Sequence, residues 1–438
     1  MAGWLKRILG VAAKPASVSR PTAATAATVA TVQTAETVPL SAFVNRRPLV
    51  SRQGAINGFD FHLSDEVEQR LRERTDPVAR AAHVIALLAS MRSTIEGGRV
   101  AMATLPDEVL TRPAVLDSVS GAYIVIDPLA GDGFGPRPDR AELRRRGVRI
   151  GAVADAGAAM RPCDFIVMRR GTTSFEALAA DVSRQRVSAP DAPVVLVGIE
   201  SVDELERALA LDVWLVGTRF QVAPVKQKPA PLQPTVMHIC QVLSRLRDER
   251  HTAEVCRQLG ADVALSYRLL RFVNSPAFGL ARSAASIEEA VMLVGHAGLY
   301  RWLSIALLAS ADARMVSRAL QEVSLARARF MELLAGACGR DPPQALFTVG
   351  LLSLLDALLQ VPMADALAPL HLGEHAEQAL LTGQGPWWKY LALAQDLESN
   401  HLVSAAERAA EFGGLDGVLR YSDLAWQWAG EFTQALRS

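Results

Sequence analysis

The side chains best suited to chemistry in this 438-residue chain are few and scattered. His371-Leu372-Gly373-Glu374-His375 spells H-x-x-E-H, a spacing that lets two imidazoles on one helix face grip zinc. Gly373 weakens a helix there and no third ligand set follows, so zinc chemistry is not expected. The four cysteines, Cys163, Cys240, Cys256 and Cys338, form no C-x-x-C pair. That excludes a disulfide framework and the common zinc spacings, and it fits a reducing cytoplasm. His238, His251 and His296 stand singly, and no His-Asp dipeptide occurs. Neither a metal nor a cofactor is implied.

The chain that must position these groups is globular in composition. Half of it is hydrophobic and 21% is charged, enough for real cores, and the length suits two domains. Lys plus Arg and Asp plus Glu are 46 each, so no net field exists to hold a polyanion, and nucleic acid is not an expected partner. No uncharged apolar run reaches the ~18–20 residues of a membrane span. The nearest candidate, 349–370, carries Asp356 and Asp365. Residues 1–40 read as a disordered Ala/Thr/Pro-rich tail whose start, MAGWLKRILG, gathers Trp4, Leu5, Ile8 and Leu9 near one helical face. The alternative makes that start a short amphipathic anchor for a membrane surface or a partner groove.

From 41 to 224 strand-like and helix-like stretches alternate. Arg47 to Ser51 and Ile56 to Leu63 predict a hairpin with Gln53-Gly54 at its turn. Short apolar runs then begin at Val100, Ala122, Arg149, Asp164, Pro193 and Asp212, as buried parallel strands do. Helical patterns lie between them, which predicts a parallel sheet covered by helices, a barrel or a doubly wound sheet. Residues 225–234, VKQKPAPLQP, form a stiff proline-rich join. After it the β signal ends, and 235–438 reads as helices throughout. Ser286-Ile287-Glu288-Glu289 is a capping box, and Asn274-Ser275-Pro276 stops the preceding helix.

The stretch SYRLLRFVNSPAFGL, from Ser266, followed by SIEEAVMLVG, from Ser286, resembles the HDOD family. Its signature is a helix ending in an asparagine-serine pair, a turn, then a helix of the type "s-i-x-x-A-i-x-x-L-G". The first half resembles the EAL-type cyclic-di-GMP phosphodiesterase domain. Arg46-Arg47-Pro48-Leu49 with Gly58-Phe59-Asp60-Phe61-His62-Leu63 is similar to that family's opening, and Glu200, Gly217, Phe220 and Pro224 match its end. The resemblance implies α/β plus all-α architecture: an EAL-like β/α barrel over 41–224, trimmed because it is short, then an all-helical HDOD domain with a helical C-terminal extension over 235–438.

The resemblance also implies where a phosphodiesterase would keep its carboxylates. Metal-assisted hydrolysis of a phosphodiester needs such a cluster at the strand ends. The family's motif glutamate falls on Asp60 and a later one near Asp127, while Glu200 survives as a third vestige. The remaining positions fall on Met102, Val153, Ala154, Val167, Arg169, Val197 and Val216, none of them a hard-metal ligand. The letters Glu176-Ala177-Leu178 spell the family name but lie in a helical stretch away from the motif's place. The expectation is therefore a non-catalytic signalling protein in bacterial cyclic-di-GMP-related control of motility or attachment. It would act in the cytoplasm, with membrane or pole association as the variant, through unknown protein partners of the HDOD domain. Asn274 and Ser275 are its candidate contacts, against a plain reading as a helix stop. The alternatives are a cyclic-di-GMP receptor without hydrolysis and, behind it, an active phosphodiesterase.

Overall fold

The computed structural model describes residues 44–63, 77–126, 138–154, 163–171, 174–221, 232–246, 252–275, 284–312, 314–399 and 402–435. The N-terminal tail, Asp127 and most of the 225–234 join lie outside the described residues.

Eight strands close into a barrel in sequence order. They are β1 (Val44–Ser51), β2 (Ile56–Leu63), β3 (Val100–Leu105), β4 (Tyr123–Ile126), β5 (Arg149–Val153), β6 (Phe165–Arg169), β7 (Val194–Ser201) and β8 (Leu215–Gln221). β2 to β8 run parallel, and β1 is antiparallel to both of its neighbours. The expected hairpin joins β1 to β2. Its turn needs Gly54, which sits at φ 69°, in the left-handed region open to glycine.

Strand alternation sends one set of side chains inward. Leu49, Met102, Val125, Phe165, Val167, Val195 and Leu215 meet there as one apolar cluster. Gly151 makes room for the Phe165 ring, since a methyl group on it would lie 2.4 Å from ring carbons. Among the described residues the outer ring holds four helices of six or more residues. Helices α1 (Pro77–Glu96), α2 (Arg140–Arg145), α3 (Phe175–Ser188) and α4 (Val202–Leu209) follow β2, β4, β6 and β7. Between β3 and β4 stand only a 3-10 turn, Asp107–Thr111, and a one-turn helix, Pro113–Leu116.

The rest is helical: α5 (Pro234–Leu246), α6 (Thr252–Ala261), α7 (Val263–Val273), α8 (Ile287–Ser310), α9 (Ser317–Cys338), α10 (Pro343–Leu352), α11 (Trp388–Glu398), α12 (Leu402–Ala409) and α13 (Leu415–Ala435), with shorter turns between. These helices do not form one block after the proline-rich join, which is where the structure departs from the expected boundary. One compact unit holds Pro231–Ser310 with Leu367–His371. The other holds Leu40–Ala230 together with Ala311–Ala366 and Leu372–Ser438.

C-terminal helices pack directly on the barrel. Outward-facing Phe59 of β2 meets Trp426 of α13 edge-on, with ring centroids 5.3 Å apart. Arg46 beside it pairs with Asp423. Glu322 of α9, 1% exposed, holds Arg99 at 2.6 Å. Asn45 donates to the Leu397 carbonyl at 2.5 Å. Arg314 reaches Glu206 of α4 at 2.7 Å and Asp203 at 2.5 Å. The β1–β2 turn is clasped as well: Ala319 donates its N–H to Gly54 O at 2.9 Å.

Within the other unit, α5 to α8 bury Val236, Ile239, Leu243, Leu259, Leu269 and Val294, among others. Gly295 breaks α8 at φ 72°, ψ 168°, a conformation nearly restricted to glycine. By length and composition alone α8 could cross a membrane, but 67% of its most apolar window is buried within the protein.

Candidate functional site

β2 to β8 deliver their C-terminal ends to one rim, and β1 adds its N-terminal half. With Phe59 facing out, Asp60 and His62 of β2 face in. Asp60 lies opposite Arg47 of β1 and beside Met102 of β3 in register. It is 5% exposed. Its Oδ2 lies 2.8 Å from His62 Nε2, a charge contact when the imidazole is protonated rather than an aligned hydrogen bond, and its Oδ1 accepts none from the described residues. A buried carboxylate oxygen left in that state costs stability, about 1–3 kcal/mol.

A cavity of ≈ 50 Å³ opens beside it, lined by Arg47, Asp60, Val197, Glu200, Gly217 and Arg219, among others. Glu200 is exposed on a strand that bulges between Leu196 and Ser201, with Gly198 at φ 87°. Asp60 and Glu200 thus reach one cavity. Asp127 lies outside the described residues.

Apart from Arg169, the other inward-facing rim positions are filled by hydrocarbon. Met102 and Val167 belong to the barrel's interior cluster, and Val153 and Val197 pack against it. A methyl on Gly217 would touch Val197 and Leu49, at 3.2 and 3.3 Å, so Gly217 faces in and Val216 faces out. Ala154 contributes its backbone N–H to Val167 O, at 2.9 Å. Among the described residues no group of three or more His, Cys, Asp or Glu could hold a metal ion. These rim residues do not fit a pair of hard divalent cations, which need several oxygen ligands each. What the described rim offers is one buried carboxylate, an imidazole and guanidinium groups.

The sequence reading placed Arg169 at the rim but did not assign Arg47 or Arg219 to it. Arg47 and Arg219 line the cavity. Arg169 ends β6 two residues after inward-facing Val167 and pairs in register with Val197. Parity was the available signal: Arg47 stands two residues before Leu49, and Arg219 two after Gly217.

The remaining candidates have local partners. Asn274 caps α7 and exchanges two hydrogen bonds with Ala284: its Nδ2 donates to Ala284 O at 3.0 Å, and its Oδ1 accepts from Ala284 N at 2.7 Å. Ser275 Oγ donates to Phe272 O at 2.8 Å. The capping box forms, with Ser286 Oγ accepting from Glu289 N at 3.2 Å and Glu289 Oε2 accepting from Ala285 N at 2.9 Å. Glu176 is exposed in the first turn of α3, near Arg207 at 3.4 Å, and backbone and Ser174 hydrogen bonds hold its carboxyl below the ordinary range. His371 Nδ1 lies 3.1 Å from Ser244 Oγ, while the His375 ring packs on Trp387 with centroids 5.5 Å apart.

Comparison with known proteins adds an HDOD domain, whose family model matches residues 230–378. The matched stretch runs through residues 311–366, which cluster with the barrel. The uncharacterized protein YuxH of Bacillus subtilis strain 168 is 31% identical over 163 residues, 37% of this chain and 40% of that protein. Cyclic di-GMP phosphodiesterase CdgJ of Vibrio cholerae serotype O1 is 29% identical over 182 residues, 41% of this chain and 42% of that protein. The chain thus spans about two fifths of the length of these curated relatives. An EAL domain protein from Listeria monocytogenes EGD-e is similar over 43% of this chain and 92% of its own, at 13% identity and a TM-score of 0.30. The chain therefore combines an N-terminal eight-stranded closed barrel with a helical C-terminal part that carries an HDOD domain.

Proposed function

We propose that this chain is a non-catalytic regulatory protein of cyclic-di-GMP-related signalling that acts in the cytoplasm by binding other proteins. The observation that carries this reading is the hydrocarbon rim: Met102, Val153, Val167 and Val197 stand where metal-assisted phosphodiester hydrolysis would need ligands and a base. The HDOD match and the likeness to a protein named as a cyclic di-GMP phosphodiesterase supply the signalling context. A barrel interior closed by apolar side chains is cheap to bury, whereas a ligand cluster without its ions would carry uncompensated charge.

The test is incubation of the full chain with cyclic-di-GMP and either magnesium or manganese. No linear dinucleotide is expected. Metal-dependent turnover that Asp60→Asn abolishes would overturn the proposal.

A second reading, a cyclic-di-GMP receptor without hydrolysis, is favoured by one feature: Arg47 and Arg219 line the cavity beside Asp60 and could pair with phosphate oxygens. Calorimetric titration separates the two. Saturable binding lost in Arg47→Ala with Arg219→Ala would establish the receptor, and no heat of binding would leave the protein-binding role.

A further inference from the structure

A polar cavity larger than the one at the barrel rim lies elsewhere in the described residues. It holds ≈ 480 Å³ and lies under the C-terminal helices that cover the barrel, within the same compact unit. One face of α11 forms a wall, because Trp388, Leu391, Gln395 and Glu398 follow the three-to-four-residue helical spacing. Phe220 of β8 and Arg327 of α9 form others, and Asp356 projects from the short helix Leu355–Leu359. Part of the lining comes from Gln378–Thr382, a π-helical turn. Such widened turns are rare and occur often at functional sites.

The charges in this cavity are specific. Arg327, 3% exposed, is gripped by Glu398 through two hydrogen bonds, 2.8 Å from Nε and 2.6 Å from Nη2, and a third reaches Ser353 Oγ at 3.1 Å. That pair is satisfied and neutral as a unit. Asp356 is the other charged side chain in the lining, and one of its oxygens accepts from Ala357 N at 2.7 Å. The ionised cavity therefore carries one net negative charge beside aromatic surface from Trp388 and Phe220. Anions are disfavoured there. A cation would gain the carboxylate and an aromatic surface together, the pairing on which organic ammonium recognition relies.

We propose that this cavity binds a small organic monocation, an amine or guanidinium carried on an apolar body. Its charge would sit at Asp356, its apolar part against Trp388 and Phe220, and its remaining donors at Gln395. The site is independent of the barrel rim. Burial pushes the Asp356 carboxyl above its ordinary range, with Arg327 pulling partly the other way. The bound cation requires the ionised carboxylate, so affinity rises with pH through that raised pKa and falls below it. Arg327 and Glu398, facing it from α9 and α11, stay locked to each other.

The experiment uses the full chain with benzylammonium as probe, and benzyl alcohol and benzoate as neutral and anionic controls of like size. Benzylammonium at ten times its dissociation constant should raise the melting midpoint by roughly 1–3 °C, saturably. Benzyl alcohol should act far more weakly and benzoate not at all. Asp356→Asn should weaken the benzylammonium effect roughly tenfold to a hundredfold in concentration. Gln395→Trp, which fills the space without changing charge, keeps the test valid if the first variant misfolds, and it should abolish the shift. Equal shifts with all three probes, or a benzylammonium shift that survives both substitutions, would overturn the proposal. So would no shift with benzylammonium at any pH between mild acid and neutrality.

Discussion

The described residues of Pro231–Ser310 with Leu367–His371, and those of Ala311–Ala366 with Leu372–Ser438, are both largely helical, and by pattern they are one continuous succession of amphipathic segments. Physically they are different objects. The first set has its own core: Val236, Ile239, Leu243, Leu269 and Val294 are buried among α5 to α8, and Leu367–His371 belongs to the same unit. The second set has two loyalties. Phe330, Leu334, Leu346, Tyr390, Leu393 and Val418 form a cluster of its own, while Trp426, Asp423, Glu322 and Arg314 are spent on the barrel. Between β3 and β4 the barrel has only short turns, and the C-terminal helices supply cover to β1 and β2. The join at 225–234 therefore marks where the β pattern stops in sequence, but not where the barrel's partners stop.

This division makes the barrel dependent on chain that lies far from it in sequence. A fragment ending at Ala230 should fail to fold, because Phe59, Phe61 and the Arg46 guanidinium would face water from strands designed to be covered. Co-expression with residues 311–438 should recover soluble barrel. A fragment 1–230 that melts cooperatively and shows the full chain's hydrogen-exchange protection over 44–221 would break the shared-core argument.

A single contact sharpens the same contrast. Trp426→Ala empties the space against Phe59, and removal of a buried tryptophan costs about 3–5 kcal/mol. The loss should appear as early exchange in β1, β2, α9 and α13, with α5 to α8 unchanged. Uniform destabilisation of both units would mean that they unfold as one.

The converse substitution belongs to the self-contained helices. Gly295→Ala forces a side chain into φ 72°, ψ 168°, at a cost of about 1–3 kcal/mol, although open space surrounds the position. The penalty is conformational and not steric, so Gly295→Ser should cost the same within error. Thermal melts followed by exchange should place the effect in α5 to α8 and leave the barrel's protection intact.

Local patterns explain what could be read early. The hairpin followed from alternation around Gln53-Gly54, and the capping box at Ser286 and the stop at Asn274 followed from backbone donors and acceptors that local side chains must satisfy. Repeated buried strands left a barrel or a doubly wound sheet, and the resemblance to the EAL-type domain chose the barrel and singled out Met102, Val153, Val167 and Val197 as rim positions. What failed to show was everything set by long-range partnership. Nothing in the spacing of Glu322 says that Arg99, more than two hundred residues earlier, will neutralise it. The cavity around Arg327 and Asp356 draws on six separate segments and so has no linear signature. Arg47 and Arg219 were legible in principle, by strand parity, but only after the register of β1 and β8 was known.

The smallest expected effect concerns the rim itself. Asp60 and Glu322 are both buried carboxylates in the same unit, and they differ in company. Glu322 is held by Arg99 at 2.6 Å. Asp60 keeps one oxygen without a hydrogen bond from the described residues and meets His62 only as a charge contact. Removing the charge of a paired group strands its partner, whereas removing the charge of an under-satisfied group relieves a desolvation cost. Asp60→Asn should therefore leave stability unchanged or raise it by up to about 1 kcal/mol, while Glu322→Gln lowers it. Both are read by urea titration of the full chain near neutral pH. A loss of more than about 1 kcal/mol in Asp60→Asn would exceed what a charge contact to one imidazole contributes. It would show that Asp60 has a firm ionic partner at the rim.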